Sequence, residues 1–219
     1  MKNLWVWAVV IVVAGGYLIF NKDKTMPLDA NAAPIKIGIA TILTGDLAAA
    51  GENMVNAAQL TIDRVNKDGG INGRPLALTS EDAKCDSKTG LSAITKLGAV
   101  DGVRYIVGGM CSNGTIAAAP VANENKAIMM TPVTGGSNVD AAGDYIFRTA
   151  NSDVLAGRDI ANAMLAMGYK KVASVAEVTE YTLDIAKSFG ETIVAGGGTV
   201  AVSEQFQPGT NDFRTIIAK

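Results

Sequence analysis

Histidine is missing from all 219 residues. Without an imidazole the chain cannot assemble a Ser-His-Asp or Cys-His catalytic group, and the commonest ligand for transition metals is gone. Aromatic residues make up only 5%, too few for the stacking surface that holds nucleic-acid bases. Charge is balanced: 19 Lys and Arg against 21 Asp and Glu leave a net −2, so no cationic excess draws the chain to a phosphate backbone. Cysteine occurs twice, and two thiols without histidine make a poor metal set. The expectation is therefore no metal, no cofactor and no nucleic-acid partner.

What is present is ordinary globular material, 48% hydrophobic, enough to bury a sizeable core. It is preceded by a different kind of segment. Leu4 to Phe20 runs without a charge, after Lys2 and before Asn21, Lys22, Asp23 and Lys24. At about 1.5 Å per residue it spans roughly 25 Å, short for a membrane helix and long for a signal-peptide core. Ala30, Asn31 and Ala32 resemble a cleavage site but lie far beyond the run, and no cysteine is there to carry a lipid. We read 1–24 as an N-terminal membrane anchor, with a cleaved signal as the alternative, and 25–34 as a tether. Either reading puts the remainder outside the cytoplasm, in the periplasm or at the cell surface, where disulfides persist.

After the tether the pattern alternates. Apolar runs at 35–42, 76–80, 105–107, 127–131 and 145–149 read as strands. Segments 52–67, 87–100 and 115–125 carry helical spacing, with Met54, Ala58, Ile62 and Val65 on one face of the first and Leu91, Ile94 and Leu97 on the second. Gly69 and Gly70 stop the first helix. The rhythm then restarts: helix 154–167, strand 172–178, helix 183–195, strand 199–206, and a helix beginning near Asp212. Such alternation predicts an α/β fold of βαβ units with parallel sheets flanked by helices. Two sheets are expected, with the changeover near Arg148 to Ser152. Two strands cannot bury both faces of the second sheet, so the chain reads as the N-terminal part of a longer protein.

The segment Asn66 to Asp86 joins a helix end, a two-glycine stop, a tight turn, a strand and Cys85. Cys111 follows another strand and is succeeded at once by Ser112 and a helix-like run. A serine there either caps the helix or, with the free N–H groups and positive end of the helix, receives a small anion. Asp82 and Asp86 beside Cys85 fit turn and capping roles. The two cysteines could be bonded or be separate buried thiols.

These pieces, taken together and in order, resemble a known family. Leu43-Thr44-Gly45-Asp46 with Gly51, Asn66-x-x-Gly69-Gly70-Ile71-Asn72-Gly73, Glu81-Asp82-Ala83-x-Cys85-Asp86, Val107-Gly108-x-x-Cys111-Ser112, Thr131-Pro132 and Arg148-Thr149 look like the type I periplasmic binding proteins of the leucine/isoleucine/valine group, the solute receptors of branched-chain amino acid ABC transporters. The resemblance covers 35–219. It implies a two-lobed fold, with ligand-binding lobe 1 at 35–149 and the start of an incomplete lobe 2 at 150–219, joined by a three-stranded hinge. It implies a disulfide between Cys85 and Cys111, a ligand α-carboxylate on Ser112, a backbone carbonyl from Val133, and a threonine contact that falls on Thr134 unless Gly135 takes its place. Tyr181 would be an aromatic wall from lobe 2. Ala50 departs from the family, which often has an aromatic residue there, so the side chain accommodated is left open.

The implied function is capture of a branched-chain or related amino acid and its delivery to an ABC permease, with no bond made or broken and no enzyme activity. A sensor domain of the same fold for an amino acid, amide or small carboxylate is the alternative. A doubly wound enzyme is a distant one, because Thr41-Ile42-Leu43-Thr44-Gly45-Asp46-Leu47 after the first strand lacks G-x-G-x-x-G.

Overall fold

The protein is described here from a computed structural model covering residues 27–29 and 31–219. The apolar run from Leu4 to Phe20 and the first part of the tether lie outside the described residues. Among the described residues no helix is long and apolar enough to cross a membrane. Two compact units are distinguished among the described residues: those up to Ile35 with Asp63–Leu76, and Lys36–Ile62 with Ala77–Lys219.

The smaller unit is organised around a turn. Gly69 and Gly70 both have positive φ, 100° and 70°, a conformation that ends a helix at little cost only for glycine. Ile71 and Arg74 then bridge to each other, Asn66 clamps Leu76 through both its side-chain donor and acceptor, and Ile35 N–H reaches Pro75 O.

Strands β1 (Ile35–Thr41), β2 (Leu76–Asp82), β3 (Tyr105–Gly108), β4 (Ile128–Thr131) and β5 (Ile146–Arg148) form one sheet in the order β2-β1-β3-β4-β5. The β1–β3, β3–β4 and β4–β5 pairs are parallel. The order reverses at β1, which places a switch point between β1 and β3, where open α/β sheets leave a crevice at the strand carboxyl ends. Helices α1 (Ala48–Lys67), α2 (Ser87–Thr95) and α3 (Ser112–Glu124) follow β1, β2 and β3. Met54, Ala58 and Val65 of α1 are half-buried and Ile62 is buried, as their spacing predicts. On α2 the expected face is corrected at one position: Ile94 is buried but Leu91 is exposed. The helix widens into a π turn at Lys96–Val100, and Leu97 at its start is fully buried.

Ile94, Leu97, Ile106, Met129 and Ile146 share one apolar core with the small side chains Ala118, Ala119 and Ala122 of α3. Each large member contributes about 1.5–3 kcal/mol relative to exposure. The alanines let α3 come close to the sheet and fix where its first turn lies.

The second sheet pairs β6 (Lys171–Glu177) with β7 (Thr199–Phe206), again parallel. Helix α4 (Asp153–Ala166) precedes it, α5 (Glu180–Ala195) lies between its strands, and a short α6 (Arg214–Ile217) ends the chain. Its core is smaller: Ala161, Val172, Phe189 and Ile193. Alternate residues of β7 are exposed, so one face of this sheet is bare among the described residues, unlike a parallel sheet covered on both sides. Helices α4 and α5 pack closely, with Gly157 at the contact, where a Cβ would come within 2.1 Å of Ser188 Oγ.

Candidate ligand-binding site

The loops at the carboxyl ends of β3 and β4 converge. After β3 the chain passes through Gly109 and Cys111 into α3; after β4 it runs Pro132 to Gly136 before a 3-10 turn at Ser137–Ala141. Cys111 is bonded to Cys85, with Cα atoms 5.4 Å apart, so the end of β3 is tied to the loop after β2. That second loop is itself ordered by carboxylates. Asp86 caps α2 by accepting from Thr89 N–H at 2.8 Å and Thr89 Oγ1 at 2.7 Å, which hold its carboxyl below the usual carboxylate range. Asp82 accepts from Leu43 N–H, Thr44 Oγ1 and Lys84 N–H. Both aspartates have the turn and capping roles their positions suggested.

Ser112 is the first residue of α3, and it does not cap it. The N-cap position is Cys111, and no side chain caps the helix, which leaves the donor-rich end of α3 unsealed by a side chain. The Ser112 side chain is buried and its Oγ accepts from Gly136 N–H at 3.3 Å. The hydroxyl therefore sits between the two loops, at the end of a helix dipole that favours negative charge.

Thr134 is placed differently. It is buried, its Oγ1 donates to Gly109 O at 2.5 Å and lies 3.1 Å from Thr115 Oγ1. Its backbone N–H donates to Thr131 Oγ1 at 3.0 Å, and Thr131 Oγ1 donates to Gly109 O. The hydroxyl is used to bind one loop to the other. Val133, beside it, is half exposed.

Gly135 carries the backbone out of this network. Its carbonyl accepts from Asp153 N–H at 2.8 Å and from Arg148 Nη1 at 2.9 Å. There is no room for a side chain: a Cβ on Gly135 would lie 2.2 Å from Asp153 Oδ1, and one on Gly136 would lie 2.9 Å from Ser112 Oγ. The next residues reach α5. Ser137 N–H donates to Asp184 Oδ2 at 2.6 Å and Asn138 Nδ2 donates to Glu180 Oε2 at 3.2 Å. The 134–138 segment thus touches α3 on one side and helices of the second sheet on the other. Tyr181 lies apart from these polar contacts. It is exposed, on the first turn of α5, and lines an open groove of about 520 Å³ with Ile185, Phe189 and Phe206.

The sequence reading missed Asp153, Asp184 and Gly136. Asp153 is 6% exposed, and its Oδ2 has no hydrogen-bond partner among the described residues. Burial, and secondarily the charge of Asp184, push its carboxyl up to about 6 against the pull of Arg148.

A reversed-order sheet whose strand-end loops meet the helices of a second parallel sheet defines a two-sheet α/β protein with its polar contacts at the carboxyl ends of β3 and β4. The chain belongs to the periplasmic binding protein family, whose model matches residues 34–219. Among its curated relatives, it is 34% identical over 195 residues to the Leu/Ile/Val-binding protein BraC3 of Rhizobium johnstonii, covering 85% of this chain and 51% of the relative. It is 32% identical over 191 residues to a leucine-, isoleucine-, valine-, threonine- and alanine-binding protein of Pseudomonas aeruginosa, covering 86% and 51%. The branched-chain amino acid transporter substrate-binding protein LivJ of Streptococcus pneumoniae, solved with isoleucine, superposes with a TM-score of 0.77 at 29% identity, covering 85% of this chain and 53% of that one. A benzoate complex of an R. palustris solute-binding protein has the same fold, with a TM-score of 0.76 at 21% identity over 85% and 52% of the two chains. The chain spans about half the length of the curated relatives it matches.

Proposed function

We propose that this chain is part of an extracytoplasmic solute receptor of an ABC transporter, which captures a branched-chain or related amino acid and delivers it to a permease. The observation that carries the reading is Ser112: a buried hydroxyl at the first turn of a helix with no side-chain cap, bonded to the Gly136 amide where the loops after β3 and β4 meet. A ligand carboxylate placed there would take the hydroxyl and the helix donors together. Residues 35–149 act as the lobe that receives the ligand, with Val133 and Gly135 offering backbone groups. Residues 150–219 begin the lobe that closes over it by hinge motion, and Tyr181 belongs to that lobe's contribution. The family's extracytoplasmic setting fits a stable Cys85–Cys111 disulfide, with residues 1–24 as a membrane anchor or signal segment and 25–34 as the tether.

Thermal unfolding of the chain against a panel of amino acids, amides and small carboxylates tests this. A ligand that binds only the folded state adds about 2.7 kcal/mol of stability at 100 times its dissociation constant and so raises the midpoint. A shift with leucine, isoleucine or valine that disappears in Ser112→Ala is the expected result. A cooperatively folded protein with no shift across the panel overturns the receptor reading.

A further inference from the structure

Two methionine sulfurs meet one hydroxyl at the end of β1. Thr41, the last residue of that strand, is fully buried. Its Oγ1 lies 3.4 Å from Met54 Sδ on α1 and 3.4 Å from Met110 Sδ in the loop after β3. A threonine hydroxyl has one proton to donate, and a thioether sulfur is a weak acceptor. Only one sulfur holds that proton at a time, so the hydroxyl has two matched partners on two different elements. The solute site described above uses neither sulfur.

Both methionines are partly exposed and open to a small oxidant, whereas Met129 is shut in the core. With hydrogen peroxide the chemistry balances on its own. Sulfur gives up two electrons, the O–O bond breaks, one oxygen stays on sulfur and the other leaves as water. The product is a sulfoxide, polar where the thioether was apolar, and methionine sulfoxide reductases return it to the thioether. Beside Met110 a cavity of about 10 Å³, lined also by Gly109, Cys111 and Thr115, is close to the room that one water needs. An added oxygen has space there.

The main chain around Met110 is held on both sides. Gly109 O accepts from Thr131 Oγ1 and Thr134 Oγ1, and Cys111 is bonded to Cys85. A larger, more polar side chain at 110 finds no slack in its own backbone. A sulfoxide oxygen accepts hydrogen bonds far better than a thioether, so it takes the Thr41 hydroxyl outright and Met54 on α1 loses it. The adjustment passes to the nearest weak point of the loop, Ser112, whose bond to Gly136 N–H is long at 3.3 Å.

We propose that Met110 is a reversible oxidation site, with the Thr41 hydroxyl passing from Met54 to the Met110 sulfoxide, and that this modification weakens solute capture at Ser112. The effect on capture rests on the receptor reading; the oxidation site does not.

The test treats the full chain with hydrogen peroxide and maps sulfoxides in the folded protein by peptide mass spectrometry. The unfolding midpoint and L-leucine affinity are measured before treatment, after it, and after repair by reductases for both sulfoxide epimers. Wild type is compared with Met110→Leu, a volume-conserving change that leaves Thr41 the sulfur of Met54, and with Met110→Gln, whose amide oxygen imitates the sulfoxide. Met130 and Met167 are exposed and present in every protein, so they report oxidation unrelated to Thr41. In wild type a sulfoxide is expected at Met110, with leucine affinity lower by about fivefold or more and the midpoint lower by about 2–4 °C. Repair restores both. Met110→Leu shows neither change although Met130 and Met167 are oxidised, and untreated Met110→Gln behaves as oxidised wild type. Met110 left unoxidised while Met130 and Met167 react, or a Met110 sulfoxide with midpoint and affinity unchanged, overturns the proposal. So does an equal response in Met110→Leu. If no solute of the wider panel binds untreated wild type, the receptor reading falls and the midpoint alone decides the oxidation site.

Discussion

The Oγ of Ser112 accepts from the backbone amide of Gly136 at 3.3 Å, and through that bond the loop after β3 and the loop after β4 share one buried hydroxyl. The two residues are distant in sequence but their strands are neighbours in register, with Tyr105 opposite Ile128 and Ile106 opposite Met129.

Ser112→Ala removes the acceptor and leaves the Gly136 N–H buried without it. An orphaned buried donor costs about 1–3 kcal/mol. Urea unfolding should show a loss of that size, and the ligand-induced rise in the midpoint should vanish.

Thr134→Val should separate stability from binding. Its hydroxyl is consumed by Gly109 O and Thr115 Oγ1, so the substitution removes a bond between the loops while Gly109 O keeps Thr131 Oγ1 and Thr115 Oγ1 keeps Cys111 O. A loss of about 0.5–1.5 kcal/mol is expected, with leucine affinity within a few-fold of wild type. A selective loss of affinity at unchanged stability would return the ligand contact to Thr134.

Reducing the Cys85–Cys111 bond, or replacing both residues by serine, releases a loop with a sequence separation of 26. The chain-entropy account gives about 3.5 kcal/mol for a loop of that length. Scanning with and without reductant should lower the unfolding midpoint in wild type and leave the double-serine variant unmoved.

The pH dependence of Asp153 has a definite sign. Its folded value, about 6, lies above the ordinary 3.8, so the folded state holds the proton more tightly than the unfolded chain. Its contribution is fully present below about 3.8 and is lost as pH rises through about 6. Wild type should lose stability relative to Asp153→Asn between about pH 4 and pH 7. Thermal unfolding of the two proteins across that range checks the sign.

Much of the fold was legible because its signals are local. Met54, Ala58, Ile62 and Val65 repeat at helical spacing and turn inward, and the apolar run 105–107 falls within β3. Leu91 shares the spacing of Ile94 yet faces solvent, because periodicity identifies a face without saying how far the core extends around it. Helix α3 starts at Ser112, three residues before the sequence suggested, since Ser-Asn-Gly is a weak helix opening that the bonded Cys111 and the packed alanines hold in place. The site was half legible. Ser112 stood out by its position after a strand and before a helix. Asp153 and Asp184 did not, because an aspartate in the first turn of a helix is the ordinary complement to its dipole, and one on a helical surface is ordinarily solvated. Their meaning comes from a meeting of α4, α5 and the 134–138 loop that no local pattern encodes.

The residue in the N-cap position of α3 is a cysteine whose sulfur is committed to Cys85. A serine or aspartate there would fold back on the helix amides and have to be displaced when a ligand arrived. The cysteine is held in place without competing for them. In the proposed receptor that end of the helix is preorganised: much of the entropy of ordering the loop is lost during folding, not at encounter, and more of the contact energy would remain to set affinity.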